Sequence, residues 1–304
     1  METETRHTSA PQAQKKWAHF GRGVGRFVFV GLAAGMGTVT ILLIAALALG
    51  AGWMSFMGEF GAADPEHTSA IDCNVIALDV HGLMTTYRDD ANGDGSYGTE
   101  TTSGTLVAHL EEAMRDKSIK AVLLDIDTPG GYPQAAQEVG DAVRALGKPS
   151  VAWIRGSGDS AGYWVASAAS TIVASPVSDV GSIGVTSSYT DVSKQNKDEG
   201  ITYNSLSTGP FKDTGDPDKP LTEAERKYIE KQNQQVLDIF IKNVASWRNL
   251  PEETVRALAD GSSFVGGEAL ERKLIDRLGT KPEALAALKD AIHEEPRLCW
   301  PQYQ

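Results

Sequence analysis

The chain has 304 residues, of which 41% are hydrophobic and 22% charged, and its formal net charge is −12. That composition excludes wholesale disorder and leaves length for one large domain or two small ones. The acidic balance excludes nucleic acid as a partner, because such binding needs clustered lysine and arginine.

The charge is unevenly placed. Residues 1–26 carry Arg6, Lys15, Lys16, Arg22 and Arg26 against Glu2 and Glu4, which makes a basic tail. Residues 27–57 (FVFVGLAAGMGTVTILLIAALALGAGWMSFM) then contain no charged side chain. This run exceeds the ~20 residues that cross a bilayer and the ~7–15-residue apolar region of a cleavable signal peptide. We read it as a retained transmembrane signal anchor, although Ala46-Leu47-Ala48 resembles a cleavage site. Basic residues precede the run, while Glu59, Asp64, Glu66 and Asp72 follow it. The positive-inside rule therefore puts the N-terminus in the cytosol and residues 58–304 outside a cytoplasmic (inner) membrane crossed once.

Residues 58–72 read as a polar linker. Strands are expected at 75–80 (VIALDV), 121–127 (AVLLDID) and 151–154, with helices at 105–116, 133–146 and 160–169. This alternation predicts an α/β domain with a mostly parallel sheet. Further strands are expected at 180–185 (VGSIGV) and 202–206. The capping box Thr222-Glu223-Ala224-Glu225 should open a long helix to about residue 247. Pro251 suits the first turn of another helix. Loop 85–103 contains Asp90, Asn92, Asp94 and Gly95, the first half of a calcium loop, but Thr101 stands where the closing acid belongs. A flexible Asp/Asn/Gly-rich loop explains the same residues. Cys73 and Cys299 either pair across the ends of the soluble part or stand as separate thiols. Two cysteines alone make no zinc site, and no H-E-x-x-H or paired C-x-x-C occurs.

The stretch GSGDSAGYWVASAAS (156–170) places Ser160 in a G-x-S-x-G pattern. A serine there is either a helix N-cap or a nucleophile. A trypsin-like setting would require an all-β fold, which the alternating elements oppose. An α/β-hydrolase needs a histidine late in the chain, and His293, in a charged tail segment, is the only histidine after Ser160. Lysine is the remaining class of base, provided that burial lowers its pKa. Lys212, beside Pro210 and Phe211, is the candidate, although an ordinary surface-loop lysine explains the same residue.

Four segments in order, LLDIDTPGG (123–131), GDSAGYWVASAAS (158–170), VGSIGV (180–185) and STGPFKD (207–213), resemble the signal peptide peptidase A family of membrane-bound Ser–Lys proteases. SFVGGEALERKLIDRLGT (263–280) is similar to that family's closing segment. The resemblance implies a ClpP/crotonase-like fold over residues 73–280, followed by a C-terminal helix and tail at 281–304. It implies Ser160 as nucleophile, Lys212 as general base and Ser182 as the residue orienting the lysine. It also implies an oxyanion hole from the backbone N–H groups of Gly131 and Ala161. Two departures stand out: Ala161 replaces a usual glycine, and Asp127-Thr128 replaces a usual Asn-Ser. The implied activity is an endopeptidase acting on cleaved signal peptides and similar apolar peptides, as a homo-oligomer whose dyad can join neighbouring protomers. No metal or organic cofactor is implied. The alternatives are a Ser–Lys protease for a dedicated membrane-protein partner, and a non-proteolytic acyl-binding or scaffold protein.

Overall fold

The computed structural model describes residues 73–87 and 100–301. The basic tail, the apolar run 27–57, the linker and the calcium-loop candidates Asp90, Asn92 and Asp94 lie outside the described residues. No described helix is long and apolar enough to cross a membrane.

Strand β1 (Val75–Thr85) belongs to a parallel array with β2 (Glu100–Thr102), β3 (Ala121–Gly131), β4 (Ser150–Asp159), β5 (Thr171–Ala174) and β8 (Arg277–Leu278), in the order β2-β1-β3-β4-β5-β8, with β3 and β4 at its centre. Short β6 (Asp179–Gly181) adds to the far end of β4, and β7 (Ser263–Val265) pairs antiparallel with β6. β9 (Leu298–Cys299) returns to the start of β1. The helices among the described residues are α1 (Ser103–Arg115), α2 (Pro133–Ala145), α3 (Ala161–Ala168), α4 (Ser193–Asp198), α5 (Glu223–Arg248), α6 (Glu252–Ala257), α7 (Gly266–Glu271) and α8 (Lys281–Ile292).

Alternation along each strand divides the core. Ile76, Leu78 and Val80 of β1, with Val122, Leu124 and Ile126 of β3, join the cluster that holds the apolar sides of α1, α2, α3 and α5. Val75, Ala77, Ala121, Leu123 and Val151 face the other way, against Ala284, Ala287 and Leu288 of α8. Cover on both faces explains why these strands read as continuous aliphatic runs. The disulfide Cys73–Cys299 ties the start of β1 to β9, so the two cysteines left open by the sequence are paired.

The long helix begins as expected, with both halves of the Thr222/Glu225 capping box formed. Two strand expectations need correction. Only 179–181 of the VGSIGV region is strand, and 202–206 is none. The β-favouring residues at 201–206 find no sheet edge among the described residues, and Ile201 and Leu206 remain 54% and 96% exposed. Without a partner for its backbone, such a segment has nothing to make it a strand.

Candidate active site

At the end of β4 the chain turns into α3 at Ser160, with φ 50° and ψ −118°. A left-handed φ in a non-glycine residue is strained by about 1–3 kcal/mol and persists only where the surroundings enforce it. An N-capping serine would instead have extended backbone and a hydroxyl bonded to an amide of the first turn. Ser160 has neither, since its side chain makes no cap hydrogen bond. Its backbone is held from both sides. The Ser160 amide donates to the Gly181 carbonyl at 2.8 Å, and its carbonyl accepts from the Trp164 amide at 2.9 Å. The preceding Asp159 carboxylate accepts from the hydroxyls of Ser157 at 2.6 Å and Ser263 at 2.8 Å. The structure thus turns Ser160 out of a structural capping role.

Segment 128–131 is pressed against this turn. Gly130 has φ 115°, and a Cβ there would lie 2.8 Å from Ser160 Cβ and 3.1 Å from the Ala161 nitrogen. A Cβ on Gly131 would lie 2.1 Å from the Met84 carbonyl oxygen on β1. Only glycine lets three backbones meet at these distances. Buried Thr128 braces the turn: its hydroxyl accepts from the Gly130 amide at 3.0 Å and donates to the Gly82 carbonyl. The neighbouring Asp127 carboxylate accepts from the Ser157 amide at 3.1 Å and is not part of the cavity lining.

A cavity of about 450 Å³ opens beside the turn, and its lining brings together Gly131, Ser160, Ala161 and Ser182. Ser182 also has a left-handed backbone, φ 47°. Its amide donates to the Ser262 carbonyl at 2.9 Å and its hydroxyl to the Gly261 carbonyl at 3.1 Å. The far wall is apolar, from Trp164, Leu237 and Phe240, with the Trp164 and Phe240 rings stacked at 4.4 Å and 6°. Asp260 is the one charged residue in the lining. Hydrogen bonds from the side chain and backbone of Ser262 hold its carboxyl below the usual range.

Sequence reasoning missed this wall. Leu237, Phe240, Ile241 and Val244 recur at helical spacing, which signals a buried face on α5 without saying what it meets.

Lys212 is the predicted site residue that the single chain does not bring to the cavity. It lies exposed in the irregular segment before α5 and is absent from the cavity lining. Phe211 beside it stacks on Tyr228 at 4.9 Å. The burial that a lysine base requires is therefore not supplied within this chain.

None of the described histidines lines the cavity. His81 lies on β1, where its Nε2 is 3.1 Å from Asp125 Oδ1. Asp79, His81 and Asp125 bring potential metal-ligand atoms within 4.8 Å of one another. Asp125 already has His81 on one oxygen and Arg155, at 3.6 Å, near the other. The hydrogen bond to Asp125 raises the His81 pKa, as expected for an ion pair.

The family model described as peptidase family S49 matches residues 142–294. A protein assigned as a protease in Methanocaldococcus jannaschii is 32% identical over 206 residues, covering 67% of this chain and 66% of that relative. An assigned signal peptide peptidase SppA of Enterococcus faecium is 30% identical over 218 residues, covering 71% of this chain and 62% of the relative. The chain thus spans a little under two thirds of the length of these two relatives. Among solved structures, a serine-to-alanine mutant of the 1510-N membrane-bound stomatin-specific protease superposes with a TM-score of 0.51 at 14% identity, covering 77% of this chain and 99% of that one. At that identity the likeness speaks to the fold alone, a mixed α/β architecture shared with a protease.

Proposed function

The chain belongs to peptidase family S49, and from that premise we propose that it is a membrane-anchored serine endopeptidase working through Ser160 and Lys212. Ser160 Oγ attacks the peptide carbonyl carbon as its proton passes to neutral Lys212 Nζ. The resulting oxyanion takes hydrogen bonds from the Gly131 and Ala161 amides, helped by the positive end of α3. The tetrahedral intermediate collapses, the C–N bond breaks, and the lysine ammonium returns the proton to the leaving amine. Water, deprotonated by the same lysine, then releases the acyl group.

The observation that carries this reading is the Ser160 turn, strained, uncapped and facing a cavity beside two candidate oxyanion donors. The apolar wall of Trp164, Leu237 and Phe240 suits side chains of membrane-derived peptides, including cleaved signal peptides. Residues 27–57 would hold the site at the membrane. Because Lys212 is exposed and outside the cavity of its own chain, the reading requires it to be buried by assembly, reaching the Ser160 of a neighbouring protomer.

The test is cleavage of a quenched fluorescent signal-peptide substrate by detergent-purified protein, beside Ser160→Ala and Lys212→Ala. Activity is expected in the wild type and in neither variant. Mixing the two inactive variants and reassembling them should restore part of the activity. Cleavage that survives Lys212→Ala would overturn the assignment of the base.

A further inference from the structure

The residue after Lys212 is Asp213, an acid placed by the sequence next to the residue that the proposed mechanism needs as a neutral base. An opposite charge within about 4–6 Å favours the protonated lysine and raises its pKa. A free Asp213 carboxylate would therefore oppose the role of Lys212. In the structure that carboxylate is occupied by other partners. Asp213 Oδ2 accepts from Ser205 Oγ at 2.5 Å, with Tyr203 Oη at 3.5 Å. Its other oxygen lies 3.8 Å from Lys219 Nζ. Lys219 is fixed in turn by buried Glu225, whose Oε1 is 2.5 Å away. Glu225 is also the capping-box acid of α5, with its other oxygen accepting from the Thr222 amide and hydroxyl, both at 2.8 Å. Tyr203 is shared with Asp216, to which it donates at 3.0 Å.

The chain thus runs from a helix cap through a buried acid and a half-buried lysine to the carboxylate beside Lys212. Lys212 has no ion-pair partner among the described residues. The hydrogen bond from Ser205 lowers the Asp213 pKa, so the clamped group is a carboxylate at working pH.

We propose that this clamp withholds the Asp213 carboxylate from Lys212, and that Lys219 and Ser205 are positioning residues that keep the base free of a competing ion pair. The inference rests on the Ser–Lys reading above. The clamp acts on the proton affinity of Lys212 and touches neither substrate nor the reacting atoms. Its loss should therefore move a pH profile, with the Ser160 turn unaltered.

The experiment compares wild type, Lys219→Met, Ser205→Ala, Lys219→Arg and the double variant Lys219→Met with Asp213→Asn, all as full-length detergent-purified protein. Two quantities are followed against pH: kcat/KM on the quenched peptide, and the rate at which acetic anhydride acetylates Lys212, read by mass spectrometry. In Lys219→Met both midpoints are expected to rise by about one pH unit. That shift is about a tenfold lower kcat/KM below both midpoints. Ser205→Ala should move them in the same direction by less. Lys219→Arg should stay near wild type, and adding Asp213→Asn should return the profile, since no carboxylate remains to pair. Unchanged midpoints in Lys219→Met, or a loss that Asp213→Asn does not repair, would overturn the clamp. Should Lys219→Met fail to fold, Ser205→Ala with and without Asp213→Asn decides by the same criterion. Activity retained by Lys212→Ala overturns the dyad, while the acetylation midpoint of Lys212 still reports on Asp213.

Discussion

The two halves of the proposed dyad are built by opposite means. Ser160 stands where β3, β4 and α3 meet, in a core whose aliphatic residues are almost wholly buried and whose glycines are dictated by contact with neighbouring backbone. Lys212 stands in a segment without sheet or long helix, held by hydroxyls, carboxylates and a single buried acid. The contrast teaches where rigidity is needed before substrate arrives. The nucleophile and its oxyanion amides must be set to within a fraction of an ångström, and close packing provides that. A lysine that completes the site on assembly has to be presented at a surface, and a polar clamp can do that without burying it.

The serine half is most sensitive at Gly130. Alanine there would keep the left-handed φ at a cost of about 1–3 kcal/mol and would push a methyl group toward Ser160 Cβ at about another 1–3 kcal/mol. Covalent labelling of Ser160 by a fluorophosphonate should fall by at least about 100-fold, the scale of losing one oxyanion donor. The matching replacement on the lysine side, Leu206→Ala at a residue 96% exposed, should change stability by less than about 0.5 kcal/mol. If urea unfolding ranks these two the other way, the division into a rigid and a surface half is wrong.

Next in size is Phe240→Ala. Phe240 is 1% exposed and stacks on Trp164 in the cavity wall, so its loss should cost about 3–5 kcal/mol in urea unfolding. It should also lower kcat/KM for apolar peptides more than for small ones. Removing the disulfide by Cys73→Ser with Cys299→Ser opens a crosslink with a sequence separation of 226. That loss should lie at about 2–5 kcal/mol, with the Ser160 labelling rate in the folded protein retained. A change in labelling would show that the pinned end of β1 reaches the site.

How much of this was legible in the sequence follows the same division. The buried strands, the α5 capping box and the Ser160 turn all announce themselves locally, through aliphatic runs, a Thr-x-x-Glu pattern and glycines beside a serine. The cavity wall was not legible, because the spacing of Leu237, Phe240 and Val244 marks a buried face without naming Trp164 as its target. Strand propensity at 201–206 misled, because a strand needs an edge to pair with and tertiary structure supplies none there among the described residues. The Asp213 clamp was equally hidden. Ser205 and Lys219 look like ordinary surface residues until the fold brings them to Asp213 and the capping acid Glu225.

The smallest expected effect concerns that polar half and is read with acid. The hydrogen bond from Lys219, followed by those from the Thr222 backbone and side chain, pulls the Glu225 carboxyl from 4.5 down to about 2. A group with a lowered folded pKa contributes stability above its unfolded pKa, and that contribution is lost as pH falls toward the folded value. The Glu225 contribution should thus be complete above about pH 4.5 and should disappear between there and about pH 2. Glu225→Gln keeps a capping side chain but has no carboxylate to protonate. Its urea midpoint should lie below that of the wild type at pH 7, and the gap should narrow steadily below pH 4.5. Phe240 acts through its stacking on Trp164 and carries no acid, so Phe240→Ala should show a gap to wild type that stays constant across the same window. A pH-independent gap for Glu225→Gln would mean that Glu225 acts by shape alone. The lysine half would then be held by packing, much as the serine half is.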